Sequence, residues 1–375
     1  MAPALSRPPS LGIVVVTSPS RAHPSTSLLW GALGSTSLLR GAQHAPIDVI
    51  CDGYRVPEDL EPSHSQRVIE KLRGRPTALS KRGIVSADLG CSYEAYKRQL
   101  RLEIEDRGLG WRINVEECES HHGFALCVRR GLEAVQRRGL RFALVLQHDR
   151  AFIRRFREAD LRRVLQRFDD DETIRYVGFA TSTSKMQSTR LQPRYLLGSL
   201  LESRTHTLRE GLLLRPSIFW YDSSHIVDVG RALPCLYEPF TSAPSWLHAR
   251  CAGGLGSFTL RRGDFIEDRF GVAQRALLTS LHDRPEELME TFDFFGSYLL
   301  EETALEQDEG RDSDGRGNKG EGVCDGGGGG GDDDDDVGPA TVCNLIDGHA
   351  RVSHVAHMDG RSSAPREWLS ALPQL

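Results

Sequence analysis

Short apolar runs alternate along most of the chain with segments of helical periodicity. Residues 11–16, LGIVVV, form a continuous β-branched run, which is typical of a strand buried on both faces. Residues 46–53, PIDVICDG, repeat this pattern and end in an Asp-Gly turn, and residues 111–117, WRINVEE, are a third candidate strand. The first part of the chain is therefore expected to contribute several strands to one sheet.

Helical segments separate the later strands. From residue 123 to residue 138 the apolar side chains recur at helical spacing, and Gly139 is a natural stop for that helix. An apolar strand at 142–146, a helix at 158–168 and a strand at 174–180 follow. This alternation predicts an α/β fold with a mostly parallel, twisted sheet that has helices on both faces.

Polar side chains directly follow three of these strands. They are Thr17 and Ser18 after the first strand, Asp52 after the second, and His148 and Asp149 after the strand at 142–146. Ligands of open α/β sheets bind outside the carboxyl ends of the strands, so this edge is the expected site. An aspartate in this position is equally common as a turn or helix cap, and that alternative stays open for Asp149.

The composition is that of a soluble globular protein, with 375 residues, 39% of them hydrophobic and 26% charged. No apolar run approaches the roughly 20 residues that span a bilayer, and the N-terminus lacks an apolar core of signal-peptide length. We therefore expect a cytoplasmic protein without a membrane span. Eight scattered cysteines without a CxxC pair favour reduced thiols over a disulfide framework or a zinc site.

The negative charge is concentrated in one segment. Residues 301–336 carry 14 acidic and 3 basic side chains, so the rest of the chain has a net charge of +6 although the whole has −5. This segment includes DGGGGGGDDDDD and has few apolar residues, which predicts a disordered linker at 303–340 and a solvated charge run rather than a calcium site. We expect a catalytic domain at 11–302 and a C-terminal segment, 341–362, that packs back on it.

Residues 121–149, HHGFALCVRRGLEAVQRRGLRFALVLQHD, resemble the central stretch of GT-A-fold glycosyltransferases. In that family an Asn or His with Gly opens a helix of small residues, and an apolar strand then ends in Asp-x-Asp. The corresponding positions here read Gln147-His148-Asp149, so the first aspartate is missing. The resemblance covers roughly residues 11–300. It implies a GT-A-type nucleotide-diphospho-sugar transferase that moves a sugar from a nucleotide-sugar donor to a hydroxyl acceptor, with inversion expected.

The resemblance also implies binding roles for particular residues. A divalent ion, Mn²⁺ or Mg²⁺, would bridge the donor phosphates and stabilise the charge that develops on them. Its candidate ligands are Asp149 and the late histidines His354 and His357, although a surface histidine is the commoner explanation for the latter two. The candidates for nucleotide-sugar binding are Thr17, Ser18, Asp52, Gly123, His148 and Arg150.

Two further stretches supply candidates for the reaction itself. Residues 263–271, GDFIEDRFG, are similar to the acidic motif of inverting GT-A enzymes, so Asp268 or Glu267 is the expected catalytic base. Acidic residues at a helix N-terminus need no catalytic role, and this alternative stays open. In residues 215–228, RPSIFWYDSSHIVD, the side chains of Trp220, Tyr221 and Asp222 are candidates for an acceptor platform, with an edge strand entering a turn as the alternative.

Other functions are compatible with parts of the pattern. A catalytically degenerate nucleotide-sugar-binding protein on the same fold would explain the missing carboxylate at Gln147. A nucleic-acid-binding protein would explain the arginine-rich body, but neither aromatic-basic interleaving nor a Cys/His finger spacing is present. A Ser-His-Asp hydrolase at 223–228 would lack a GxSxG elbow, and a nucleotidyltransferase would lack a glycine cluster after the first strand.

Overall fold

The computed structural model describes residues 10–59, 83–181, 184, 197–238, 258–302 and 355–357. The predicted linker at 303–340, the residue His354 and all of the predicted segment 341–362 except 355–357 lie outside the described residues.

A large sheet and the helices packed on it form an α/β fold, as the alternating pattern predicts. The strands are β1 (Leu11–Thr17), β2 (Ile47–Cys51), β3 (Ile113–Glu117), β4 (Phe142–Gln147), β5 (Arg150–Phe152), β6 (Tyr176–Phe179), β7 (His206–Arg209), β8 (Leu212–Pro216), β9 (His225–Asp228), β10 (Ser297–Glu302) and β11 (Val355–His357). The helices are α1 (Ser27–Ser35), α2 (Ala87–Asp106), α3 (Phe124–Arg137), α4 (Glu158–Asp170), α5 (Leu197–Leu201), α6 (Val229–Tyr237), α7 (Val272–Thr279) and α8 (Pro285–Phe295).

Nine strands form the large sheet in the order β3-β2-β1-β4-β9-β6-β10-β8-β7. Only β8 and β9 run against the others in this sheet, so the prediction of a mostly parallel sheet is confirmed. The prediction of an edge strand near residues 215–228 is wrong for β9, which lies between β4 and β6 in the middle of the sheet.

Close packing of α3 on β1 depends on two residues without side chains. A Cβ atom on Gly131 of α3 would lie 2.2 Å from Val14 Cγ1, and one on Gly12 of β1 would lie 2.9 Å from Val135 Cγ2. All residues of β1 and β2 are buried, so both faces of these strands are covered. The continuous apolar runs in the sequence match this burial, because a strand covered on both faces has no solvent side.

The sheet order fixes where a ligand can bind. From the central strand β1 the chain proceeds outward to β2 and β3 and then returns to add β4 on the other side of β1. Such a reversal opens a crevice at the carboxyl ends of the two neighbouring strands, here after Thr17 and Gln147.

A small second sheet adjoins this crevice. The strand β11 pairs antiparallel with β5, and His357 is in register opposite Arg150. The register brings the backbone of a late histidine beside the segment that follows β4. None of the described helices combines the length and the apolar character that a membrane crossing requires.

Candidate functional site

The buried carboxylate of Asp52 organises the loop between β3 and α3. Its Oδ1 accepts the backbone N–H of His122 at 2.7 Å, and its Oδ2 accepts the N–H of Gly123 at 3.0 Å. The ring Nδ1 of His121 also lies 2.8 Å from Oδ2. Asp52 therefore holds the start of α3 in the manner of a capping residue, which satisfies amides that have no helical partner.

These contacts involve two residues that the sequence predicts to bind a nucleotide sugar. Asp52 is only 2% exposed and Gly123 is also buried, and their polar groups are bonded to each other. The structure places both inside the protein, where Asp52 binds the backbone that opens α3. Thr17 is likewise 1% exposed, whereas Ser18 is half-buried and lies at the open side of the β1 end.

Burial disfavours the ionised form of Asp52, but the donors around it reverse this effect. The hydrogen bond from the His121 ring and those from the amides of His122 and Gly123 hold the pKa of Asp52 below its ordinary value of 3.8. A carboxyl group with a lowered pKa stabilises the fold above its unfolded pKa. That stability is lost as the pH falls through the lower pKa of the folded state.

Replacing Asp52 with alanine is expected to lower the free energy of unfolding by about 3 kcal/mol at pH 7, because two buried amides lose a charged acceptor. Asp52→Asn keeps one acceptor oxygen and is expected to lose about half as much. The difference in the free energy of unfolding between wild type and Asp52→Ala should become smaller as the pH falls below 3.8, because Asp52 is then being protonated. Urea titrations at several pH values measure this, and equal stabilities at pH 7 would contradict the capping role.

A close backbone contact joins α3 to the segment that carries the predicted base. Gly123 has φ of +81°, and a Cβ on it would lie 2.5 Å from the Cα of Gly263. The N–H of Gly263 donates to the carbonyl of His122 at 2.8 Å, and the rings of Phe124 and Phe265 stack at 5.9 Å. The chain around residue 263 is thus fixed against the start of α3, four residues before Glu267.

The residues Glu267–Gly271 form a π-helical turn that precedes α7. Such turns are rare in proteins, and many of those that occur lie at functional sites. Within it Glu267 is half-buried and Asp268 is exposed, so the two carboxyl groups predicted as alternative bases have different surroundings.

Glu267 and Asp222 make reciprocal contacts. The N–H of Glu267 donates to Asp222 Oδ1 at 3.2 Å, and the N–H of Asp222 makes a long contact of 3.5 Å with Glu267 Oε2. This arrangement brings together two carboxyl groups that lie 45 residues apart in the sequence. Asp222 itself is 7% exposed, so it contacts the backbone of Glu267 from the buried side.

Both carboxyl groups of this pair have raised pKa values. Burial, with the negative charge of Glu267 in second place, raises the pKa of Asp222 well above its ordinary range. Burial also raises the pKa of Glu267, and the charge of Asp268 adds to the effect. Two carboxyl groups this close to each other hold a proton readily, and the half-exposed member, Glu267, can exchange one with a bound molecule.

The end of β4 contacts the same pair. Gln147 Nε2 donates to the backbone carbonyl of Asp222 at 3.0 Å, and Arg150 Nε donates to Gln147 Oε1 at 3.1 Å. The positive charge of Arg150 acts on Glu267 and favours its ionised form. The side chain at the missing-aspartate position, Gln147, is therefore a structural link between β4 and the carboxyl pair.

His148 and Asp149 occupy the turn between β4 and β5, and both are half-buried. The ring of His148 lies 6.0 Å from the ring of His23, which packs at 4.1 Å on Tyr96. Burial, and next the charge of His148, lower the pKa of His23 to about 3, so His23 is neutral at physiological pH. One wall of the crevice beside His148 is thus aromatic and uncharged.

The described residues bring no group of three candidate metal ligands together around Asp149. They offer one carboxylate and one neighbouring imidazole there, with the backbone of His357 nearby. This set fits Mg²⁺ or Mn²⁺, because such ions are commonly bound through one or two carboxylates and completed by substrate phosphates.

The structure places Trp220, a candidate for the acceptor platform, in the core. Its side chain is fully buried, its ring packs at 4.8 Å on Tyr176, and its Nε1 donates to the carbonyl of Phe295. Tyr221 is only 5% exposed, so it too is unavailable for stacking on a sugar. Of the three candidates, Asp222 contacts Glu267, whose N–H it accepts.

A second group of polar side chains lies at the loop between β3 and α3, residues 118–123, which we call the Asp52 loop because Asp52 binds its backbone. The carboxylate of Asp52 and the thiols of Cys118 and Cys127 have ligand atoms within 4.8 Å of one another. Arg130 Nη1 lies 3.3 Å from the sulfur of Cys118. The three donors to Asp52 and this guanidinium leave little room for a cation, so we do not assign a metal to this group.

From the sequence, no contact is assigned to His121, Gln147 or Gly263. A His-His-Gly sequence directly before a helix was a usable sign for the first, because the amides that open a helix need acceptors from elsewhere. Gln147 is a polar strand end like its neighbours. Nothing in the sequence indicates that Gly263 meets Gly123, since the contact joins segments 140 residues apart.

Comparisons with known proteins find likenesses among solved structures only. No protein-family model matches the chain. No curated protein matches it either. Among solved structures, the chain is similar to the crystal structure of mouse xyloside xylosyltransferase 1 in its apo form, with 12% identity, coverage of 74% of this chain and 82% of that chain, and a TM-score of 0.27. A superposition this loose carries no argument about activity.

Proposed function

We propose that the chain is a glycosyltransferase that moves a sugar from a nucleotide-sugar donor to a hydroxyl acceptor, with inversion at the sugar. The observation that carries the proposal is the junction of Glu267 with the end of β4 at the carboxyl edge of the sheet. There a carboxyl group with a raised pKa adjoins an arginine in the crevice where α/β proteins bind ligands.

The sequence resemblance of residues 121–149 to GT-A glycosyltransferases supports the same proposal. The proposed donor site is the crevice between the ends of β1 and β4, with Ser18, His148 and Arg150 as its half-buried polar residues. The guanidinium of Arg150 suits a diphosphate because it can donate two parallel hydrogen bonds to phosphate oxygens.

Mn²⁺ or Mg²⁺ is the proposed cofactor, held by Asp149 with His148 or His357 and completed by donor phosphates. When bound, such an ion would offset the charge that the leaving diphosphate gains. Asp149 would then set the position of the diphosphate, and Arg150 would pair with its oxygens.

Glu267 is the proposed catalytic base. The acceptor oxygen forms its bond to the anomeric carbon while the bond from that carbon to the diphosphate oxygen breaks, and the acceptor proton passes to the carboxylate of Glu267. A raised pKa makes Glu267 a stronger base than an ordinary glutamate. The N–H of Glu267 bonded to Asp222 holds the base in place.

A nucleotide-sugar-binding protein without turnover is the second candidate. The observation that favours it is Gln147, whose amide is already engaged with Asp222 and Arg150 where a second metal-binding carboxylate would stand in the family motif. Binding without release of nucleoside diphosphate, with acceptors supplied, distinguishes this candidate from the transferase.

Donor binding tests the site directly. Thermal unfolding would be followed with UDP-, GDP- and CDP-sugars, each with Mn²⁺ and with chelator. We expect one nucleotide class to raise the melting temperature only with the metal, and a ligand at 100 times its Kd contributes about 2.7 kcal/mol of stability. Asp149→Ala should remove the metal-dependent rise in melting temperature that the donor causes. No stabilisation by any donor would contradict the proposal.

A further inference from the structure

Two cysteines meet where β3 ends and α3 begins. Cys118 directly follows β3, and its N–H donates to the carbonyl of Cys51 at 2.8 Å. Cys127 lies in the first part of α3, with its N–H on the carbonyl of Gly123 at 3.1 Å. Both backbones are therefore anchored, and their sulfur atoms lie 4.0 Å apart.

An arginine is fixed beside one sulfur of this pair. Arg130 Nη1 lies 3.3 Å from Cys118 Sγ, and its Nε lies 2.9 Å from Glu116 Oε1. Arg130 stands three residues after Cys127 on α3, so the helix that carries one thiol also supplies the positive charge for the other. Thiolates rather than thiols are the reactive form, and a neighbouring guanidinium stabilises them.

The two thiols consequently differ in character. The hydrogen bond from Cys127 lowers the pKa of Cys118 to about 6. Burial opposes this shift, and the contact with Arg130 adds to it. The same hydrogen bond and burial raise the pKa of Cys127. These two thiols and those of Cys51 and Cys235 are all buried. Burial raises the pKa values of Cys51 and Cys235 to about 12. Cys118 also contacts Cys127 and Arg130, so Cys51 and Cys235 are comparisons within the same chain.

We propose that Cys118 and Cys127 are a redox-active thiol pair that a hydroperoxide converts to an intramolecular disulfide. The Cys118 thiolate attacks the terminal peroxide oxygen, the O–O bond breaks, and the leaving oxygen takes up a proton, which yields a sulfenic acid. The sulfur of Cys127 then attacks Cys118 Sγ, the S–O bond breaks, and the hydroxyl group leaves as water with the proton of Cys127. Two thiols lose two electrons in total, and the peroxide is reduced by them.

The Asp52 loop changes shape in this reaction. A disulfide requires an S–S distance of about 2.05 Å, so a separation of 4.0 Å must close by about 2 Å. The residues between the two sulfur atoms include His122 and Gly123, whose amides bind Asp52. Oxidation therefore alters the site beside β4 through the start of α3. This consequence for donor binding rests on the proposed function, whereas formation of the disulfide does not.

Peptide mapping of the full chain tests the pair. The reduced protein would be treated with hydrogen peroxide at pH 7, blocked with N-ethylmaleimide, unfolded, digested and analysed by mass spectrometry. We expect a linked peptide containing Cys118 and Cys127 that dithiothreitol reverses, while Cys51 and Cys235 stay reduced. In Cys127→Ser, dimedone should label Cys118 as sulfenic acid, and Cys118→Ser should form no such product.

The charge on Arg130 supplies a second readout. Alkylation of Cys118 by iodoacetamide would be followed against pH in wild type, Arg130→Lys and Arg130→Met. The midpoint is expected near pH 6 for wild type and about one unit higher for Arg130→Met, with Arg130→Lys between them. Equal midpoints in all three proteins would overturn the role of Arg130.

Two results would overturn the thiol pair itself. One is oxidation of the exposed Cys91 while Cys118 and Cys127 remain thiols. The other is zinc that stays bound to the purified protein, is lost in Cys127→Ser and protects wild type from peroxide, which would make the group with Asp52 a metal site. If the disulfide forms and the reduced protein binds no nucleotide, the proposed function fails and the redox pair stands.

Discussion

Replacing Glu267 with glutamine is expected to lower sugar transfer by a factor of about 10² to 10⁴, which is the usual contribution of a general base. Glutamine keeps the size of the side chain and its oxygen acceptor, but it cannot take a proton. The variant should therefore fold normally and bind donor with unchanged affinity. Release of nucleoside diphosphate under saturating donor and acceptor measures the loss.

The neighbouring carboxylate is a matched control. Asp268 is exposed and is the second residue of the same π-helical turn, so Asp268→Asn removes a charge and leaves the carboxyl group of Glu267 in place. We expect it to keep activity within about threefold of wild type, as exposed charges contribute little. If Asp268→Asn were inactive and Glu267→Gln active, the base would be Asp268 and not Glu267.

The pH profile gives the same pair a second test. Transfer requires ionised Glu267, so activity should fall as the pH drops through a pKa above the ordinary value of 4.5. The charge of Asp268 contributes to that elevation. In Asp268→Asn the fall in activity at acidic pH should therefore occur at a lower pH than in wild type.

Replacing Gly123 with alanine is expected to have the second-largest effect. The residue has φ of +81° and ψ of 165°, a conformation that is essentially confined to glycine and costs a side-chain-bearing residue about 1–3 kcal/mol. Its new Cβ would also meet the backbone of Gly263 at 2.5 Å, so the segment that leads to Glu267 must move away. Misplacing a catalytic group by about 1 Å costs roughly 10²-fold in rate, and we expect a loss of that order in transfer.

Gly139→Ala is a control that separates the cost of the backbone conformation from the effect of the contact with Gly263. It also has a positive φ, of +70°, but a Cβ on it would meet nothing within 4 Å. Gly139→Ala should cost about 1–2 kcal/mol of stability and leave transfer unchanged. If Gly123→Ala and Gly139→Ala lose stability equally and both keep full activity, the contact with Gly263 does not position the base.

Local patterns in the sequence predict the sheet well and the site only in part. The β-branched runs of β1 and β2 are buried on both faces, and such runs have few alternatives to a central strand. The helical spacing after Gly123 and the stop at Gly139 also correspond to α3. These features depend on residues a few positions apart, so periodicity detects them.

The errors concern partners that are distant in the chain. Asp52 faces inward because the loop that its carboxylate binds lies 70 residues later in the sequence. Trp220 is in the core because its ring meets Tyr176 and Phe270, which lie 44 and 50 residues away in the sequence. Whether an aspartate caps a loop or an aromatic ring faces a ligand depends on such tertiary contacts, which periodicity does not contain.

The central claim is that Glu267 acts as a base on a donor bound at the ends of β1 and β4. The most direct measurement is release of nucleoside diphosphate from UDP-, GDP- and CDP-sugars by wild type and Glu267→Gln, with Mn²⁺ and with chelator, in the presence of a panel of sugar and peptide acceptors. We predict metal-dependent release from one donor class by wild type and a loss of at least about 10²-fold in Glu267→Gln. Equal release by the two proteins, or binding of a donor without any release, would contradict the account.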